Sequence, residues 1–449
     1  MHQLFSMKHI FVAVLTVFGG GLTSAQDEGE AVARPWTSYA AQGEYAAAIQ
    51  SEVLPDGLPD DFAEQFLRDG EAQLLNFTGR YDEAYFIIAP EMFSENREIS
   101  ADDEVWVTPE ALEGYRAANA IEYIQEAVRG RQVVIVNESH QMGRHRAFMA
   151  ELLPILRAEG FTHFGMEALS QISETAWNQN GVPVREMGFY FGDPMMAHLL
   201  ETAVAEQFVW FPYEVRSDQR LDCSTQSCSR EARINHRETV QAQNIFERVF
   251  AQNPDARVVL YVGLAHLDET PGRSADGYQN GWMAAALSEL TGYDPLTIDQ
   301  VSGAGIGTTS IAQSARLISD RFEFSEPSVL IDQNDQALAP PPDRWQADLV
   351  VFTPTEGARE NDRRPRWLWE LPDRRSAWVD VSDVSDRPAV VQAFRLPMVV
   401  NAIATDQYAL QEGEAADQVQ LLLPPGRYRV DIQLPDRLIR RPDILMSAE

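Results

Sequence analysis

The sequence predicts an α/β protein with a mostly parallel sheet and flanking helices, together with an N-terminal helical segment and a small β-rich C-terminal module. Between residues 131 and 263, four short apolar runs alternate with helical periodicity, as in a buried parallel sheet. Residues 30 to about 120 have helical patterns, and the chain becomes β-like and interrupted by prolines after Trp369. These three observations together define the predicted fold class.

The elements of the α/β core are predicted from apolar periodicity and from their flanking residues. Strands are predicted at 133–136, 162–165, 208–211 and 257–262, with 348–352 as a candidate for one more. Helices are predicted beyond 140, at 194–205 and at 229–251, the last with Ser229 as its N-cap. Each helix follows a strand, which favours crossover connections between parallel strands.

Four segments are expected along the chain. They are a signal peptide over 1–25, a helical segment over 26–120, the α/β core over 121–372 and the β-rich module over 373–449. The apolar run at 10–18 follows Lys8, is too short to span a bilayer and precedes small residues ending at Ala25, where we expect cleavage. The initiator is either Met1 or Met7. We therefore expect an exported, periplasmic protein that is not inserted in the membrane after cleavage.

The helical segment contains one short sequence motif that occurs twice. Gly-x-Tyr-x-x-Ala occurs at 43–48 and again at 79–84, a spacing close to the tetratricopeptide period. In such a unit glycine forms a tight turn, while tyrosine and alanine pack between antiparallel helices. Two interpretations stay open: a helical cap packed on the next domain, or a TPR-like module that docks a peptide.

Composition excludes several classes of function. With 36 basic and 68 acidic residues the net charge is −32, which disfavours nucleic acid and anionic lipid as partners. Lys8 is the only lysine, so the mature chain has no Schiff-base lysine and no P-loop lysine. The two cysteines, Cys223 and Cys228, lie close together, and in an oxidising compartment we expect them to form a local disulfide.

Acids and histidines follow the ends of four successive predicted strands. They are Glu138 with His140, then Glu167, then Glu214 after Tyr213, and finally His266. In open α/β sheets ligands bind outside the carboxyl ends of the strands. The sequence therefore predicts that these side chains share one site at one edge of the sheet.

The helices add candidates to that site. On the helix at 229–251, Glu238 falls inside the apolar arc, and Arg237, Gln241 and Asn244 border it. Glu238 is either a site residue or the partner of a core arginine, because an inward carboxylate needs a partner. His145 lies on the apolar face of its own helix, as a buried structural histidine or as a site residue. The other three histidines beyond the signal, His163, His198 and His236, are interpreted as structural.

Two kinds of chemistry fit these residue types. A histidine beside a carboxylate can take a proton from water while a second acid protonates the leaving group. Alternatively, His140, Glu167 and His266 form a ligand set for a divalent metal such as Zn, Mn or Co, with a position left for water. A serine nucleophile is disfavoured, since no Gly-x-Ser-x-Gly motif is present.

Four motifs carry a family resemblance across roughly 125–300. They are Asn137-Glu-Ser-His140, Gly165-Met-Glu167, Arg237-Glu238 with Gln241 and Asn244, and Gly263-Leu-Ala-His266. The set resembles the superfamily that groups erythromycin esterase, the ChaN-like haem-uptake proteins and the Tiki/TraB proteins. Asn137 departs from the pattern because many members carry glycine there, and we expect it to narrow the approach to the strand end.

The resemblance implies a hydrolase-like site, although its branches differ: they are esterases without a required metal, metal-dependent proteases, and haem or iron binders. Because the acids and histidines cluster at the strand ends, the leading hypothesis is an exported hydrolase of ester or amide bonds acting on a small-molecule or peptide substrate. His140 and His266 would serve as bases or metal ligands, Glu138 and Glu167 as orienting acids, and Arg237 as an anion stabiliser, with Glu238 completing the catalytic set. The substrate-binding set would be His145, Tyr213, Glu214, Gln241 and Asn244. The alternative is a haem- or metal-binding protein without turnover that uses the same histidines and Tyr213. A third hypothesis makes the N-terminal helices an interaction module. The sequence does not specify the oligomeric state.

Overall fold

A computed structural model gives the structure of the chain. It describes residues 34–55, 58, 63–93, 106–223, 228–270, 281–307, 309–341, 344–354, 364–384, 387–414 and 416–447. The predicted signal peptide over 1–25 lies outside these residues. Within the described part of the chain, no helix combines the length and the apolar character that a membrane span requires.

The described secondary structure comprises helices and strands in the following chain order. The helices are α1 Trp36–Ala41, α2 Tyr45–Ile49, α3 Ala63–Phe77, α4 Tyr81–Ile88, α5 Ala120–Ala127, α6 Gly143–Ala158, α7 Ser173–Asn180, α8 Pro194–Ala205, α9 Arg230–Ile245, α10 Met283–Thr291, α11 Thr309–Phe322 and α12 Arg366–Glu370. The strands are β1 Arg116–Asn119, β2 Val133–Glu138, β3 His163–Met166, β4 Val209–Pro212, β5 Val258–Gly263, β6 Leu296–Asp299, β7 Ser328–Ile331, β8 Leu349–Val350, β9 Arg375–Asp380, β10 Ala389–Arg395, β11 Asp406–Leu410, β12 Gln418–Leu423, β13 Gly426–Gln433 and β14 Leu438–Met446.

The predicted α/β core is confirmed. Six parallel strands form one sheet in the order β4-β3-β5-β2-β6-β8. Every residue of β2 and β5 is buried, as expected for central strands covered on both faces. The strand predicted at 348–352 forms the edge strand β8, whereas β6 escaped prediction because its four residues include the polar Thr297 and Asp299.

The chain divides into two compact units. One unit contains the described residues within 1–88, 192–194 and 357–449, and the other contains those within 89–191 and 195–356. The six-stranded sheet and all the strand-end motifs belong to the second unit. That unit also contains the antiparallel pair of β1 and β7.

The first unit combines the N-terminal helices with the C-terminal strands. Its antiparallel sheet has the order β11-β10-β13-β14, and β9 pairs with β12, so the β-rich character predicted for the C-terminal segment is confirmed. The backbone of α2 bonds to a strand of this sheet, since Ala46 N donates to Gln433 Oε1 at 2.9 Å. Both repeat motifs lie here. Gly43 and Gly79 have φ of 75° and 78° between consecutive helices, a conformation that favours glycine.

Candidate active site at the strand ends

Four neighbouring strands carry the predicted site residues to the same edge of the parallel sheet. Along the order β4-β3-β5-β2, the strand ends supply Glu214, Glu167, His266 and then Glu138 with His140. His266 Nε2 lies 3.3 Å from Glu167 Oε1. The structure therefore brings together residues that are 99 positions apart in sequence, because parallel strands place their carboxyl ends on one side.

The end of β2 forms the first histidine–carboxylate pair. His140 Nδ1 lies 2.8 Å from Glu138 Oε1, and both side chains are almost fully buried. Arg146, one turn into α6, donates to both oxygens of Glu138 at 2.8 and 2.9 Å and to the carbonyl oxygen of His140 at 2.9 Å. Because Glu138 accepts the Nδ1 proton, neutral His140 keeps its lone pair on Nε2.

Glu138 stays ionised despite its burial. Burial by itself raises the pKa of a carboxyl group, but the charge of Arg146 and the hydrogen bond with His140 outweigh it and lower the pKa of Glu138 to about 2. Arg146 has no exposed surface, so its charge is balanced within the site. Sequence reasoning missed Arg146, which stands beside His145 in a run of polar residues at the start of α6.

The end of β5 and the helix α9 form the second pair. His266 Nδ1 lies 2.6 Å from Glu238 Oε2, and the same oxygen accepts the backbone N–H of Met283 at 3.1 Å. Glu238 is almost fully buried, and its inward position on α9 is explained by this imidazole together with Arg237, whose Nη1 lies 3.9 Å from Glu238 Oε1. Ser229 caps α9 as predicted, since its side chain accepts from Ala232 N.

Arg237 links three carboxylate and imidazole groups. Its Nη2 donates to Glu167 Oε1 at 2.6 Å, its Nε donates to Glu214 at 3.1 Å, and its Nη1 lies 3.0 Å from His266 Nε2. Gln241 also donates to Glu214, at 3.0 Å. The guanidinium N–H groups are thus directed at partners inside the cluster, which makes Arg237 a positioning group for Glu167 and His266.

His266 changes partners with its protonation state. Burial alone would lower the pKa of His266, but the charges of Glu167 and Glu238 raise it to about 10. In the imidazolium, Nε2–H points to Glu167, whereas the 3.0 Å contact with Arg237 is a hydrogen bond only when Nε2 is unprotonated. The two carboxylates that contact the ring therefore favour the imidazolium form of His266.

Gly263 lies where the two pairs meet. A Cβ atom at this position would lie 2.7 Å from His140 Nε2 and 3.0 Å from Glu167 Oε2, so only glycine leaves room for both side chains. Its backbone N–H donates to Glu167 Oε2 at 2.5 Å. The next residue, Leu264, has a φ of 38°, a strained conformation for a leucine that costs about 1–3 kcal/mol.

Asn137 supports this strained turn. Its Nδ2 donates to the Leu264 carbonyl oxygen at 3.1 Å and to Asp299 Oδ1 at 3.0 Å, while its Oδ1 accepts from Gln300 N at 2.8 Å. The side chain is fully buried. At this position, where the resembling family often has glycine, the chain uses asparagine to connect the ends of β2, β5 and β6.

Two of the predicted substrate-binding residues hold the loop that carries Glu214. Asn244 Nδ2 donates to the carbonyl oxygens of Tyr213 and Glu214 at 3.0 and 3.3 Å, and Tyr213 Oη donates to the carbonyl oxygen of Tyr261 at 3.3 Å. His145 lies behind the site, where its Nδ1 accepts from Ser139 N and burial lowers its pKa to about 3. These three side chains therefore shape the site from behind.

The remaining histidines lie away from the reacting groups. His163 begins β3, at the opposite edge of the sheet from Glu167, which follows the same strand. His236 Nε2 contacts the carbonyl oxygen of Gln219 at 2.6 Å, and His198 lies within α8. The structural interpretation of these three histidines stays a prediction.

His140, Glu167 and His266, predicted above as an alternative set of metal ligands, do not fit a divalent cation. Among the described residues, no group of three or more His, Cys, Asp and Glu side chains could hold a metal ion. The charge of Glu167 is already balanced by Arg237, whose guanidinium would repel a divalent ion at this point. We therefore assign no catalytic step to zinc, manganese or cobalt at these three residues.

Haem ligation is not favoured either. The Tyr213 hydroxyl that would serve as a ligand is buried and bonded to the backbone of β5. His266 is held as an imidazolium by Glu167 and Glu238, so its Nε2 has no lone pair for iron. The geometry instead suits proton transfer between the two histidines and a bound substrate.

The histidines are enclosed, while the outer part of the cluster reaches solvent. His140 and His266 are 3% and 7% exposed, whereas the side chains of Arg237 and Glu214 are 21% and 27% exposed. Glu214 and Asn244 also line a groove of about 610 Å³ along the free edge of β4. The Arg237–Glu214 pair is therefore the part of the cluster that is most exposed to solvent.

Comparison with known proteins does not assign a family. No family model matches the chain, and neither does any curated protein. Similar solved structures include one described as "Bacterial protein toxins", with 12% identity and a TM-score of 0.32 over 59% of this chain and 57% of that chain. Another is RRSP, a MARTX toxin effector domain from Vibrio vulnificus CMCP6, with 15% identity and a TM-score of 0.31 over 54% of this chain and 46% of that chain.

A further similar structure is the C-terminal region of Pasteurella multocida toxin, described as having a thiol-protease like catalytic triad. It has 10% identity and a TM-score of 0.28, over 82% of this chain and 51% of that chain. The chain spans about half the length of these solved structures.

Proposed function

We propose that the protein is an exported hydrolase of ester or amide bonds and a member of the erythromycin esterase, ChaN-like and Tiki/TraB superfamily. The observation that supports the proposal is the convergence of two histidine–glutamate pairs on Glu167 at the strand ends. The disulfide between Cys223 and Cys228 supports export, because such bonds persist in oxidising compartments.

His140 is the general base in this proposal. Glu138 fixes the Nδ1 proton, so Nε2 can accept a proton from a water molecule as the water oxygen attacks the substrate carbonyl carbon. The π electrons of the carbonyl move to its oxygen, and a tetrahedral intermediate forms. An ionised Glu138 also stabilises the imidazolium that results, as in a histidine–carboxylate pair of a hydrolase.

His266 is the general acid. Glu167 and Glu238 raise its pKa to about 10, so the ring carries a proton at neutral pH. As the intermediate collapses, the bond between the carbonyl carbon and the leaving oxygen or nitrogen breaks, and His266 donates its Nε2 proton to that atom. A histidine that holds its proton at neutral pH is suited to act as the acid beside a separate base.

The test is turnover by the purified chain of a panel of aryl esters, lactones and peptide amides. We expect hydrolysis of at least one class and a loss of about 10³-fold in kcat/KM for His140→Asn. His163→Asn is the matched control, since His163 begins β3 and should leave kcat/KM within twofold. Absence of turnover across the panel, or full activity of a folded His140→Asn variant, would contradict the proposal.

A further inference from the structure

The proposed hydrolase needs a hydrogen-bond donor for the carbonyl oxygen that becomes negatively charged. Arg146 is directed at Glu138 and at the backbone, and the N–H groups of Arg237 face Glu167, Glu214 and His266. Apart from Arg237 Nη1, which has no acceptor on His266 while that ring is protonated, these donors are engaged within the cluster. A further donor for the substrate would come from another side chain that faces the same place.

Tyr190 lies directly on the general base. Its ring stacks on the His140 imidazole with centroids 4.0 Å apart and an interplanar angle of 21°. The residue is 9% exposed, and its hydroxyl forms no hydrogen bond with any described residue. A hydroxyl that no described side chain engages remains available to bond to an acceptor that a substrate supplies.

The hydroxyl also stays protonated. Burial raises the pKa of Tyr190, and the charges of Glu167 and Glu138 raise it further, while Arg146 and Arg237 act in the opposite direction. These neighbours place the phenol within electrostatic reach of both carboxylates. Because it remains a neutral O–H group at neutral pH, it is available as a donor.

The backbone around Tyr190 is anchored to the loop that follows β3. Ser170 N and Ser173 Oγ donate to the carbonyl oxygen of Met187 at 2.6 and 2.7 Å, just before the short 3₁₀ turn Phe189–Gly192 that contains Tyr190. That loop begins at Glu167. The phenol is thus fixed relative to Glu167 as well as to His140, which is the preorganisation that charge stabilisation requires.

We propose that Tyr190 is a catalytic residue whose hydroxyl donates a hydrogen bond to the substrate carbonyl oxygen as water attacks the carbonyl carbon. The inference rests on the proposed hydrolase function and gives Tyr190 a share in stabilising the oxyanion, a role for which the sequence suggests Arg237. No covalent bond to Tyr190 forms, and its proton stays on the phenol oxygen throughout. The donor strengthens its bond as the oxygen gains charge and weakens it again when the leaving group departs.

Tyr190→Phe keeps the stacked ring and removes only the hydroxyl. We expect kcat to fall about 100-fold, with KM changed less than threefold, because the bond is strongest in the transition state. Tyr293→Phe is the matched control, since its hydroxyl bonds to the Pro254 carbonyl oxygen far from the strand ends. A kcat for Tyr190→Phe equal to that of wild type would overturn the proposal and leave the hydrolase function intact.

A binding measurement separates the donor from turnover. A phenyl trifluoromethyl ketone hydrates to a neutral tetrahedral species, and its binding is followed by ¹⁹F NMR. We expect Kd to rise at least tenfold in Tyr190→Phe and to stay unchanged in Tyr293→Phe. That result without turnover of any ester or amide would support the donor and contradict the hydrolase. Equal affinity in wild type and Tyr190→Phe, or no binding by wild type, would overturn the Tyr190 assignment.

Discussion

The two histidine–glutamate pairs differ in how their charge is balanced. At the end of β2, Glu138 has a buried arginine of its own, and its pKa is lowered to about 2. At the end of β5, His266 contacts two carboxylates, and its pKa is raised to about 10. The first pair therefore has a buried arginine that keeps Glu138 ionised, whereas the second pair has an additional carboxylate that favours the protonated His266 ring.

The largest expected effect separates the two glutamates. Glu138→Gln and Glu238→Gln should each lower kcat/KM by up to about 10³-fold, because the imidazole loses its orienting carboxylate. Only Glu138→Gln leaves Arg146 buried without a counter-ion, so it alone should lower the free energy of unfolding by about 3–5 kcal/mol. Urea unfolding of the two variants measures this, and equal losses of stability would show that the cations do not distinguish the pairs.

The next prediction concerns Arg237, which contacts the second pair from its solvent-exposed side. Arg237→Lys should lower kcat/KM about 100-fold, because an ammonium group cannot reach Glu167, Glu214 and His266 together. The cost in unfolding free energy should stay below about 1 kcal/mol, since the side chain is partly exposed. Steady-state kinetics with thermal unfolding checks both values, and an unchanged kcat/KM would remove Arg237 from the site.

Gly263 joins the two pairs. Gly263→Ala should lower kcat/KM by about 10- to 100-fold, because the new methyl group forces apart the His140 ring and the Glu167 carboxylate. Gly114→Ala is the control, since a Cβ atom there meets nothing within 4 Å. If both variants keep wild-type kinetics, the two side chains are not constrained at this point.

The smallest effect is a difference in pH dependence of stability. The pKa of His266 is raised from 6.5, so its contribution to stability is complete below about pH 6.5 and is lost as pH rises through 10. The pKa of Glu138 is lowered from 4.5, so its contribution is complete above about pH 4.5 and is lost as pH falls through 2. The free energies of unfolding of His266→Asn and wild type, measured from pH 5 to 10, should therefore converge as pH rises. A constant difference would mean that the ring is not held as a cation.

Much of the site could be predicted because parallel strands end on one side of a sheet. Glu138, Glu167 and His266 follow apolar runs that the sequence marks clearly, and Glu238 is recognised by its inward position on α9. The location of these residues therefore depended only on strand order and helical periodicity.

The remaining site residues depend on tertiary contacts that leave no periodic pattern. Arg146 is one of two arginines flanking His145, and nothing in that stretch distinguishes the buried one. Tyr190 lies in a short turn between helices, and its stacking on His140 depends on how the turn is anchored. Local sequence patterns also do not predict that the N-terminal helices and the C-terminal strands form one compact unit.

The most direct measurement of the central claim is kcat/KM for wild type, His140→Asn, His266→Asn and the double variant. If both rings act on one substrate as base and acid, each single change removes the concerted step. The double variant should then lose no more than about tenfold beyond the worse single variant. A shared site at the strand ends would be contradicted if the loss of kcat/KM in the double variant equalled the product of the two single losses. It would also be contradicted if one single variant kept the wild-type kcat/KM.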